Sequence, residues 1–168
     1  SVVMLYSWPS AESLLRYAVD VNNARRTVPV FARLLELIAQ HTDARYIDVL
    51  AYSAGAQVLS PALAALRAQY PDESEVSLRE RFRLGEIYFA APDVDFGGFL
   101  RDLSTYDGMV QHVTLALNPN DAVLAFAKSH HGVSRAGLPD PGELTEQETR
   151  LVKKAFQEMA FDLLWIDP

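Results

Sequence analysis

The chain contains no cysteine. Thiol nucleophiles, disulfides and thiolate metal sites are therefore excluded, while nothing follows about compartment. Basic residues are the minority. Lys and Arg number 15 against 22 Asp and Glu, for a net charge of -7, so the basic face that a general nucleic-acid surface needs is missing. No apolar run approaches the roughly 20 residues of a membrane-spanning helix. Only 8 glycines occur, and they form no G-x-G-x-x-G phosphate cradle. There is no H-E-x-x-H pair, and the adjacent His130 and His131 cannot readily point at one ion. No metal and no cofactor are expected. The chain opens on Ser1, directly into an apolar run, without a secretory leader pattern or an initiator methionine, so its coding start is expected upstream.

What is present is apolar: 49% of 168 residues. That is the composition of a globular protein, and the length of one domain, 1–168. Five runs read as strands, at 2–6, 46–52, 87–90, 113–117 and 161–166. They are nearly continuous in hydrophobicity, as in strands covered on both faces. Helical periodicity fills 11–20, 25–40, 54–69, 96–103 and 144–160. Pro29 suits the start of a helix, whereas Pro61 falls inside one and should kink it. The stretch 72–83 is polar and reads as a surface connection with a frayed helix end, and the glycine- and proline-rich stretch 132–142 as an extended loop. Alternation of strand and helix predicts a three-layer α/β fold around a mostly parallel sheet with right-handed crossovers.

In such a sheet, sites form at the carboxyl ends of strands. The second run ends in Ala51-Tyr52-Ser53-Ala54-Gly55 and passes at once into a small-residue helix. This is a G-x-S-x-G nucleophile elbow with its first glycine replaced by alanine. Small flanks matter there because strand and helix crowd a serine held in a strained backbone conformation. A serine so placed can attack a carbonyl if an imidazole takes its proton and a carboxylate orients that imidazole. The backbone N–H of Ala54 would donate to the oxyanion of the tetrahedral intermediate. The plainer reading of Ser53 is a helix cap, or an anion-binding helix start; the small-residue flanks favour the nucleophile.

Two carboxylates follow the next strands. Asp93 lies in Ala90-Ala91-Pro92-Asp93-Val94-Asp95 and Asp121 in Asn118-Pro119-Asn120-Asp121. Each is also an ordinary turn or cap residue. Asp121 is preferred as the orienting acid because its strand lies later in the chain. Asp95 and Asp107 read as caps or surface residues. Of the histidines, His41 closes a helix and His112 precedes a strand at the edge remote from Ser53. His130 and His131 could reach the active edge, but read more simply as a helix C-terminal pair. Trp8, Tyr52 and Phe96 are candidates to line an apolar acyl pocket, with burial in the core as the alternative.

The blocks Val3-Met4-Leu5-Tyr6-Ser7-Trp8-Pro9-Ser10, Tyr17 with Asp20, the elbow, Ala90 to Asp95, Asn118-Pro119-Asn120-Asp121-Ala122-Val123-Leu124 and His131-Gly132-Val133-Ser134-Arg135-Ala136-Gly137 occur in that order. Together they resemble the bacterial α/β-hydrolase family of unknown function known as domain of unknown function 900, over nearly the whole chain. The resemblance implies an α/β-hydrolase core and an esterase- or lipase-like serine hydrolase, with Ser53 as nucleophile and Asp121 as acid. It also implies a catalytic histidine after Ile166-Asp167, and an earlier strand, with a His-Gly loop, lying between the first two strands of this chain. On that expectation the chain is a fragment of a larger hydrolase, and its sheet has a gap or an open edge that invites association. The expected substrate is a small carboxylic ester. The alternative is a catalytically inactive hydrolase-like domain that binds an apolar ligand or a protein partner.

Overall fold

The computed structural model describes residues 2–9, 17–117 and 144–166. Four strands form one sheet: β1 (Ile47–Tyr52), β2 (Leu84–Ala90), β3 (His112–Leu117) and β4 (Phe161–Trp165). They lie in sequence order, and every pairing is parallel. Four of the five expected strands are therefore present. Residues 2–9 form no strand, contrary to expectation. Val2, Val3 and Leu5 are at least 90% exposed. A strand needs a hydrogen-bonded neighbour, and β1, the edge of the sheet, does not pair with this segment. Two rings hold it to the rest: Tyr6 meets Phe31 edge to face at 4.7 Å, and Trp8 packs on the core.

Six helices are described: α1 (Tyr17–Arg26), α2 (Val28–His41), α3 (Ala56–Ala68), α4 (Glu75–Phe82), α5 (Phe96–Tyr106) and α6 (Glu146–Glu158). The periodic stretch expected as one helix over 25–40 is split at Thr27, whose N–H and hydroxyl both bond the Ala24 carbonyl, at 2.9 and 2.7 Å. Pro29 stands in the first turn of α2 as expected, and α3 continues through Pro61 as one helix. Asp95 caps α5, accepting from Gly98 N–H at 2.6 Å, while Thr145 and Glu148 form a reciprocal capping box on α6. The polar stretch 72–83 is no loose connection. Ser74 caps α4, and Leu78 and Phe82, one turn apart, are buried. Only two of the three apolar residues in this charged octet are buried, Val76 being exposed, too few to stand out as periodicity.

Strand alternation sorts the sheet into two faces. Ala51, Ile87, Phe89, Val113 and Leu115 are buried, and the Phe89 ring meets Phe99 of α5 edge to face at 5.0 Å. Leu50, Tyr52 and Leu164, on the other face, are exposed. The base of β1 is set by two contacts. Asp48 Oδ1 accepts the N–H of Glu86 at 2.9 Å where the β1–β2 register shifts, and it occupies space that a Cβ on Gly85 would need. Arg83, left-handed at φ 49, donates to the carbonyls of Ala39 and Ala44 at 2.7 Å each, so the end of α2 is tied to the start of β2.

Between α3 and α5, the buried Ser60 hydroxyl donates to Asp102 Oδ2 at 3.1 Å. Burial raises the Asp102 carboxyl above the usual carboxylate range, with the Ser60 bond opposing it. A raised acid favours folding below its folded-state titration, and that contribution is lost as pH rises through it. Asp102→Asn keeps an acceptor for Ser60 without the half-buried charge. It should raise the melting temperature by a few degrees at neutral pH, with the gain shrinking in acid; a constant or inverted gain would contradict this. Leu78→Ala should cost about 2–5 kcal/mol in urea unfolding. A cost near zero would return α4 to the status of a surface connection.

Candidate active site

β1 delivers the chain to the carboxyl edge of the sheet at Tyr52. There it turns through a 3₁₀ turn, Ser53–Gly55, straight into α3. Ser53 has φ 49, in the left-handed region that L side chains avoid. Among the described residues, three non-glycine positions have positive φ: Ser53, Arg83 and Ala91. Arg83 is the left-handed C-cap of α4. The other two are a matched pair. Tyr52 and Ala90 are register partners across β1 and β2, and the residue after each is left-handed. Such conformations cost on the order of 1–3 kcal/mol and persist where surroundings enforce them.

The surroundings here are polar ties between main chains. Asp93 N–H donates to the Ser53 carbonyl at 3.0 Å, and Ala91 N–H donates to the Ala116 carbonyl of β3 at 2.8 Å. Behind the turn, Gln57 Nε2 donates to the Asp93 carbonyl, and Arg25 Nε of α1 donates to Gln57 Oε1 at 2.9 Å. Asp93 is fully buried. Capping is not the task of the Ser53 side chain, because the N-cap of α3 is Gly55. Ala54 lies in the first turn after the strand, where backbone N–H groups have no partner within the helix.

An apolar groove of about 230 Å³ runs along β1 and reaches the turn, with Tyr6, Trp8, Ala51, Tyr52, Gly55 and Leu59 in its wall. Trp8 and Tyr52 thus meet in one groove. Phe96, the third aromatic candidate, does not line it. It opens α5 and is buried, because the Asp95 cap turns it into the core.

Asp121, His130 and His131 lie outside the described residues, as does the loop expected at 132–142. His41 ends α2, as expected, and is exposed. His112 opens β3 at the amino edge, away from Ser53, with Nδ1 2.8 Å from Glu86 and Nε2 3.4 Å from Asp162. Asp95 is a cap, as expected, and Asp107 the C-cap of α5. No cluster of three or more metal-ligating side chains occurs among the described residues. No helix there is long and apolar enough to cross a membrane. Gln57 and Arg25 were not anticipated. The signal was a lone amide in the otherwise apolar start of a helix, Ala56-Gln57-Val58-Leu59.

A parallel sheet whose strand breaks into a helix at a strained serine defines an α/β-hydrolase core, here a partial one. The chain matches the family model described as alpha/beta hydrolase of unknown function (DUF900) over residues 1–167, and belongs to that family. No curated protein and no solved structure matches it.

The strain at Ser53 can be measured. Glycine is at ease in the left-handed region and alanine is not. Ser53→Gly should therefore be more stable than Ser53→Ala by about 1 kcal/mol in urea unfolding. Equal stability would mean that the turn carries no strain.

Proposed function

We propose that this chain is a serine hydrolase that cleaves carboxylic esters through an acyl-enzyme on Ser53. The observation that carries the proposal is Ser53 itself, left-handed at the strand-to-helix turn, with an apolar groove reaching the same turn. The groove is smaller than the roughly 300 Å³ at which drug-sized pockets begin, which favours short acyl groups.

In the proposed reaction, Ser53 Oγ attacks the ester carbonyl carbon while an imidazole accepts its proton. The Ala54 N–H donates to the oxyanion, aided modestly by the dipole of α3. The imidazole returns the proton to the departing alcohol, and a water, deprotonated in turn, hydrolyses the acyl-enzyme. Asp121 is proposed to orient the imidazole, with Asp93 the competing acid. His130 or His131 is proposed as a substitute base. No cofactor is required.

A fluorophosphonate probe should label Ser53, and Ser53→Ala should abolish both labelling and turnover of short p-nitrophenyl esters. Asp121→Asn should slow turnover by about 10³–10⁴-fold, and Asp93→Asn by less; the reverse ranking would make Asp93 the acid. Absence of labelling, together with saturable binding of an apolar ligand in the groove, would favour a non-catalytic binder.

A further inference from the structure

We infer that Gln57 is a positioning residue for the Ser53 reaction, acting through the main chain of Asp93; the inference rests on Ser53 being the nucleophile. Gln57 is the second residue of α3, and its side chain is 2% exposed. A buried amide must satisfy both its ends. Here the two neighbours leave one arrangement. The Arg25 guanidinium only donates, so it faces Oε1, and the Asp93 carbonyl only accepts, so it faces Nε2.

The consequence runs on through Asp93. Its carbonyl is held by Gln57, and its N–H holds the Ser53 carbonyl at 3.0 Å. One short segment is thus gripped on the helix side and grips the serine on the other. The Ser53 carbonyl sets the plane of the peptide that carries the Ala54 N–H. Fixing that carbonyl therefore aims both Ser53 Oγ and the oxyanion donor. Arg25, from α1, stops the amide from swinging away. Arg25, Gln57 and Asp93 are not among the residues that line the groove, so the contribution falls on the chemical step rather than on ester binding.

The side chain's chemistry separates this role from simple packing. Gln57→Glu keeps the acceptor for Arg25 and, while ionised, loses the donor to Asp93; Gln57→Met loses both. In the full chain, fluorophosphonate labelling of Ser53 at saturating probe should slow about 10- to 100-fold in both variants. The half-saturating probe concentration should change less than about twofold, the pattern of a lost transition-state interaction. Amide exchange of the segment 91–95 should speed up by about tenfold, while protection of 87–89 in β2 stays unchanged. A Gln57→Glu variant that labels like the parent would overturn the inference, since the Arg25 contact alone would then suffice. So would slower labelling with exchange raised uniformly across β2, which is the mark of general destabilisation. If the parent chain itself does not label, Ser53 as nucleophile fails first and the positioning role falls with it. A parent that labels alongside unaffected variants refutes the positioning role alone.

Discussion

The hydrogen bond from Asp93 N–H to the Ser53 carbonyl is the tie on which the carboxyl edge of β1 depends. A serine at positive φ relaxes unless its neighbours forbid it. Here the strand before it is locked by parallel pairing to β2, and the helix after it is docked by Leu59, Leu63 and Leu66. Between those two anchors remains one peptide plane, and Asp93 fixes it. The segment that supplies this donor leaves β2 through Ala91, which is bent into the same left-handed region and tied to β3. The strained turn at Ser53 is thus tied to the ends of both β2 and β3.

The rest of the molecule supplies rigidity to that edge. One face of the sheet is sealed by helices with Phe89 and Phe99 at its centre. The other face keeps Leu50, Tyr52 and Leu164 exposed, and β1, the edge strand among the described residues, runs beside the apolar groove. Among the described residues, buried polar side chains are few. Gln57 is one of them: a side chain that costs free energy to bury unless both ends are bonded, spent where a strained turn requires it.

Much of this was legible in the residues. Runs at 46–52, 87–90, 113–117 and 161–166 are apolar enough that only sheet interior suits them, and all became strands. The strand-to-helix turn at Ser53 was readable because strand-forming residues stop there, among Ala51, Ala54 and Gly55. The run at 2–6 has the same composition and is no strand, since hydrophobicity reports a wish for cover and pairing depends on a neighbour. Phe96 fell in the core because a cap, invisible to periodicity, decides which way a helix start faces. Helix α4 hid because two apolar residues suffice when the surface they meet is close. Gln57 and Arg25 stand 32 residues apart, and nothing local couples them. Their meeting is a property of the fold, as is the left-handed twin at Ala91.

A last consequence concerns Gly85 and Asp48 at the far end of the same strands. Asp48 reaches across a register shift to satisfy the Glu86 N–H, in space left empty by the absent side chain of Gly85. That shift sets the phase of β1, and phase decides which residue arrives where the strand runs out. The aim of the hydroxyl is therefore spelled partly by a missing methyl at the opposite rim. Anyone grafting this turn onto another scaffold would have to carry the root of the strand along with its tip.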